Sequence, residues 1–253
     1  MQVVLPLRRI QRTLWGLTGL LVLADGVASA GAALRVLPYT LTRFFDGDYK
    51  VNFPTGAKLL LLLVATVLLT ACWTAARRAA DRSATGWLLL GFCTAFALMD
   101  ETVYLHQSLA ELLRQHFDLG GPLAYAWTIV YIPMAALASV FLLRNLRTMH
   151  PRVRGLLMPG GVVYVTGAIL MEPVKSQLME QYGENSLPLK AAAAVSDSMQ
   201  LIGLTLLVCS LLTAVSLLAR AFTLQFDHPL EAVTLPGQAA AAASEGERGT
   251  GVR

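Results

Sequence analysis

AKLLLLLVATVLLTACWTAA, residues 57–76, carries a single charge, Lys58, in twenty positions. Twenty helical residues extend about 30 Å, the thickness of a bilayer's hydrocarbon core. A soluble helix of that length would show a polar face, and this one has none. Five more runs of the same kind flank it: Leu14 to Val36, Gly86 to Leu109, Leu123 to Leu143, Leu156 to Leu178 and Lys190 to Leu218. In lipid, a spanning segment of this sort must satisfy its backbone internally, which selects helix. The expected fold is an all-α, polytopic transmembrane bundle of six helices over residues 1–222. Composition agrees: 14% of the 253 residues are charged, against about 25% in soluble domains. From residue 223 onward the chain turns to Pro229, Pro236, an Ala run and a Ser/Glu/Gly/Arg end, which predicts a disordered cytoplasmic tail over 223–253.

The basic residues set the orientation. Arg8, Arg9 and Arg12 precede the first run, and Arg77, Arg78 and Arg82 follow the second. Arg144, Arg147, Arg152 and Arg154 lie between the fourth and fifth, and Arg220, Arg248 and Arg253 follow the last. These segments hold thirteen of the twenty Lys and Arg residues. The positive-inside rule therefore places both termini in the cytoplasm, with an even number of spans as a consistent count. The expected location is a cell membrane, with the lipid bilayer as partner. The net charge of +4 reads as this topology signal, and no nucleic-acid module is present. Arg8-Arg9 with Ala28-Ser29-Ala30 also fits a signal peptide with an A-x-A site, although apolar character continues to Leu37. Between the first two runs, Asp46-Gly47-Asp48 reads as a turn and Phe44, Phe45, Tyr49 and Phe53 as an interfacial aromatic belt. Cys72, Cys93 and Cys209 sit inside apolar runs and read as small buried residues.

Acidic residues within the runs are the functional signal. An ionisable side chain at depth costs about 2.5–3.5 kcal/mol on insertion scales. Asp25, Asp100, Glu101, Glu172 and Asp197 all lie inside candidate spans, and the last four fall in the extracytoplasmic half. At about 100° per residue, Asp100, Glu101, Tyr104, Gln107, Ser108 and Glu111 share an arc of about 120° on one continuous helix. Ser196, Asp197 and Gln200 group on the sixth helix, with Gly203 beside them. Thr18, Asp25 and Ser29 group on the first, and Ala168, Glu172 and Ser176 on the fifth. Such stripes converge on a bundle interior or a water-filled cavity. On an unbroken helix His106 points about 120° from Asp100 and about 140° from Glu101, away from the stripe, so its place as a ligand is doubtful. Pro173, after Glu172, deprives the Ile169 carbonyl of its helical partner and predicts a kink.

No Lys or Arg is expected deep in any span, with Lys175 near the outer edge. Close carboxylates without matching charge must take up protons, bind a cation or face water. The leading expectation is an outward-facing acidic cavity that binds protons or a cation in transport of a small solute. Asp100, Glu101, Glu172 and Asp197 would carry the charge, Tyr104, Gln107, Ser196 and Gln200 would tune it, and Asp25 would be a deeper relay. A metal cation as cofactor, held by Asp100, Glu101, Glu172 and Asp197, would instead suit an intramembrane hydrolase or lipid-modifying enzyme. A non-catalytic scaffold or accessory subunit is the third class. Walker, Rossmann, zincin and nucleophile-elbow motifs are absent from the sequence.

Three stretches, Ala97–Gln107 (ALMDETVYLHQ), Gly167–Pro173 (GAILMEP) and Ser196–Gly203 (SDSMQLIG), resemble an uncharacterised family of bacterial multipass membrane proteins. That family's pattern is Asp-Glu followed by His-Glu, an isolated Glu in a Gly-rich helix, and an EExLEMxG-like stretch. Gln107, Ser196 and Gln200 stand where the pattern has Glu, and Asp197 where it has a second Glu, which weakens a multivalent-metal reading here. The resemblance implies no known activity. A looser likeness is to membrane hydrolases of the alkaline ceramidase type, whose zinc needs more histidines than this chain has at depth.

Overall fold

The computed structural model describes residues 6–45, 52–117 and 125–221. All of them fall within one compact unit, Met1–Ala221. The Asp46-Gly47-Asp48 turn, Tyr49 and the tail over 223–253 lie outside the described residues. Among those described, every regular element is helical, and six helical stretches are long and apolar enough to cross a membrane.

The first span is α1 (Leu7–Ala33), followed by the short α2 (Tyr39–Phe45). α1 runs unbroken through Ala28-Ser29-Ala30, and Ala28 and Ser29 are buried. α3 (Phe53–Arg78) starts four residues earlier than the apolar run suggests. Asn52 is the reason: its side-chain oxygen accepts the Thr55 amide at 2.6 Å, and Pro54 supplies a preset φ in the first turn. That cap puts Lys58 one and a half turns inside the helix rather than at its rim.

The third span departs from the unbroken helix expected over Gly86–Leu109. α4 (Ala84–Val103) ends at Tyr104, which adopts a left-handed conformation (φ 56°, ψ 44°), and α5 (Leu105–His116) begins anew. The fourth span is α6 (Thr128–Leu146). The fifth is α7 (Pro151–Val165), a π-helical segment (Thr166–Leu170) and α8 (Met171–Tyr182). In the π segment the Met171 amide reaches back to the Thr166 carbonyl. The sequence places this widening where Pro173 has no N–H for Ile169 and its ring needs room against that carbonyl. Gly183 (φ 83°) closes α8. The sixth span is α9 (Leu187–Ala221).

α9 is the central post, packed against α1, α3, α7 and α8. It runs antiparallel to α1: Gln11 donates to the Cys209 carbonyl and Thr213, and the Thr18 and Thr205 hydroxyls meet at 2.6 Å. Against α7 the approach is glycine-controlled. A Cβ on Gly203 would lie 2.8 Å from the Gly160 carbonyl oxygen and 2.6 Å from the Tyr164 nitrogen, so only glycine permits this crossing. The Ser210 hydroxyl donates to the Val153 carbonyl at 2.9 Å further along the same contact. Leu69, Cys72, Trp87, Leu146, Val153, Leu157 and Leu211 form the main apolar core. Large exposed side chains such as Leu23, Val67, Leu137 and Val140 face outward, as a lipid-covered surface requires. The three cysteines are free thiols, with Cys72 and Cys209 buried.

Candidate functional site

A cavity of about 1250 Å³ lies between α3, α4, α5, α6, α9 and the broken fifth span. Asp100, Glu101, Glu172 and Asp197 all line it, together with Tyr104, Gln107 and Gln200. Four carboxylates from three separate spans thus share one space. Asp25 is buried on α1 and is not among the residues that line the cavity. Ser196 sits just behind the wall. Its hydroxyl donates to the Gly167 carbonyl of the π segment at 2.8 Å and is itself reached by Gln200 Nε2 at 3.3 Å.

The expected shortage of positive partners is overturned. Lys58, which is 6% exposed, donates through Nζ to Asp197 Oδ1 at 2.9 Å and to Gln200 Oε1 at 3.2 Å. A lysine at a span's edge commonly extends its ammonium to the interface. The helix extension created by the Asn52 cap instead turns this one inward. Lys175 pairs with Glu172 three residues before it on α8. A continuous relay of bonds therefore runs from Lys58 on α3 through Gln200 and Ser196 on α9 to Gly167 in the π segment.

The expectation for His106 is corrected as well. Because the helix unwinds at Tyr104, the 100° arithmetic does not carry past it. The His106 backbone N–H donates to Asp100 Oδ1 at 2.8 Å, and its Nδ1 lies 2.9 Å from Asp100 Oδ2. Asp100 in effect caps the first turn of α5, satisfying an amide that no helical carbonyl reaches. Tyr131 on α6 donates its hydroxyl to the same Oδ1 at 2.9 Å. An aromatic group surrounds this point: Trp127 is 5.3 Å from the His106 ring and 4.9 Å from the Tyr131 ring, between centroids.

Glu101 also faces the cavity. It is not a member of the ion pairs that hold Asp100, Glu172 and Asp197 among the described residues. It lies within electrostatic reach of Lys58 and Tyr164. Glu172 in turn feels Asp197 and His106, so the pairs form one network. With Glu111 and Arg114, which also line the cavity, five carboxylates face Lys58, Lys175, Arg114 and His106, so acidic side chains outnumber basic ones.

Among the described residues, no three His, Cys, Asp or Glu side chains come together as a set that could hold a metal ion. Asp100, Glu101, Glu172 and Asp197 share the cavity, and His106 and the lysines stand between them as partners. Lys58, Tyr131, Trp127 and Tyr164 are among the lining residues that the sequence alone does not single out. For Lys58 the usable signal was Asn52 with Pro54, a helix start that pulls the lysine inside. For the aromatics no sequence pattern distinguishes a cavity wall from an interfacial belt.

Comparison with curated proteins and with solved structures gives no match. A family model matches residues 14–215, which takes in four spans whole, most of the first and last, and every residue that lines the cavity. The chain belongs to the family defined by that model, described as Domain of unknown function (DUF8692).

Proposed function

We propose that this protein is a multi-pass cell-membrane protein, bacterial in type, that binds a small solute in its intramembrane cavity and carries it across the bilayer. On this reading, which the positive-inside bias supports, both termini lie in the cytoplasm and the charged end of the cavity faces outward. The observation that carries the reading is the cavity itself, with ionisable groups from α3, α4, α5, α8 and α9 on its wall. Ion pairs alone would glue helices without leaving such a space. Membrane-buried charge clusters that line a cavity are the usual substrate and proton pathways.

Glu101 is the proposed point of proton or cation uptake, since it lines the cavity outside the three ion pairs that hold its acidic neighbours. Asp100, held by His106 and Tyr131, positions the break between α4 and α5 beside it. The Tyr104 break and the π segment provide the discontinuous helices that recur at midplane sites of transporters. A metal-dependent hydrolase gains no ligand set from these residues.

The test uses proteoliposomes loaded with a pH-reporting dye and challenged with panels of organic cations, amino acids and sugars. At least one solute class should drive proton movement through the native protein and not through Glu101→Gln. No solute-driven movement in any panel, or movement identical in Glu101→Gln, would remove the transport reading or Glu101 from it, respectively.

A further inference from the structure

We infer that the cavity accommodates an amphiphile with an ammonium head and an alkyl tail, a proposal that rests on the solute-binding reading above. The ground is the order of the lining residues along the helices. On α4 the cavity runs from Asp100 and Glu101 back through Phe96 and Cys93 to Leu90. On the fifth span it runs from Glu172 back through Val165 to Met158. α4 and α7 run from the same side of the bundle, so charge collects at one end and an apolar leg extends toward the other. At about 1.5 Å per residue the leg measures about 15 Å along α4 and about 20 Å along the fifth span. That matches about one leaflet of a ~30 Å hydrocarbon core.

The walls of this leg are apolar, so they favour an alkyl chain over water or a hydrophilic group by about 25 cal/mol per Å² covered. Those walls are uncovered by protein: Met158 is 41% and Val162 64% exposed. An alkyl chain covers them. The charged end selects the head. Its carboxylates outnumber its cations, and Trp127, Tyr131 and Tyr164 stand around them. Acidic groups among aromatic faces suit an ammonium, and an anionic head would meet repulsion. The ammonium can come from a free long-chain amine or from a choline- or ethanolamine-type phospholipid.

The experiment is isothermal titration of the full chain in amphipol with four probes below their micellar concentrations: tetramethylammonium, tetradecyltrimethylammonium, tetradecyl sulfate and tetradecylphosphocholine. Tetradecyltrimethylammonium should bind at least about tenfold more tightly than tetramethylammonium and than the sulfate. Glu101→Gln should weaken it about tenfold. Gly161 lines the leg and has nothing within 4 Å of a built Cβ, so Gly161→Phe starts a bulky side chain in open space beside the leg and is the variant chosen to shorten it. It should shift the preferred chain from tetradecyl to octyl. Tighter phosphocholine binding would assign the head to a phospholipid, and weaker binding to a free amine. Equal affinity for sulfate and ammonium, or no gain from the chain, would overturn the inference. If tetramethylammonium alone binds through Glu101, the small-solute reading stands and the amphiphile falls. If no probe binds, the amphiphile falls, and the proton-movement assay above decides the parent reading separately.

Discussion

Replacing Lys58 by Met tests the electrostatic core of the site. The substitution keeps an unbranched four-atom stem and removes the ammonium. Asp197, whose side chain is 13% exposed, then holds a buried carboxylate with its cation gone, and Gln200 loses the donor to its Oε1. Breaking one partner of a buried pair costs about 3–5 kcal/mol. The reverse single change, Asp197→Leu, strands Lys58 and should fall toward the lower end of that range, because Gln200 still accepts from the ammonium. The double variant removes both charges and leaves only the Gln200 acceptor short of a bond, about 1 kcal/mol. It should therefore be more stable than either single variant. The assay is the unfolding midpoint in mild detergent, followed by helical signal and tryptophan fluorescence, as a double-mutant cycle. A double variant as unstable as the two singles combined would show that Lys58 and Asp197 do not interact, and the buried ion pair between α3 and α9 would be wrong.

Other consequences are open to simple measurement. Gly203→Val should destabilise by at least about 1–3 kcal/mol, since its Cβ would meet backbone atoms of α7 that cannot yield, while Gly161→Ala on the open side of α7 should be close to neutral in the same melt. At Tyr104 the usual helix order should invert: Tyr104→Gly should be more stable than Tyr104→Ala by about 1 kcal/mol, because the left-handed backbone there penalises any Cβ. Equal stability of the two would mean that α4 and α5 are not separated by that conformation in the membrane. Alkaline phosphatase fused after Gly183 should be active in cells and fusions after Ala80 or Met149 inactive, with the opposite pattern reversing the orientation.

The membrane character and the six spans were legible in the sequence because hydrophobic length is a property of single segments, read without knowing any neighbour. Positive-inside bias is likewise local, so the expected orientation comes from residues such as Arg77 and Arg154 alone. The carboxylates were legible as outliers for the same reason: Asp100 and Glu172 stand in apolar runs where their cost is evident. What they touch was not legible. One left-handed residue, Tyr104, rotates everything after it relative to α4, and turns His106 from a residue facing away into a partner of Asp100. A helical wheel assumes a fixed rotation per residue and cannot show such a break. Lys58 and Asp197 are 139 residues apart, and their meeting depends on how α3 and α9 pack. The glycines that bring α7 against α9, and the wedge left open between α4, α6 and the fifth span, are likewise settled by packing among helices. Segment hydrophobicity decides that each helix enters the bilayer; only the assembled bundle decides which polar groups meet and where space is left among them.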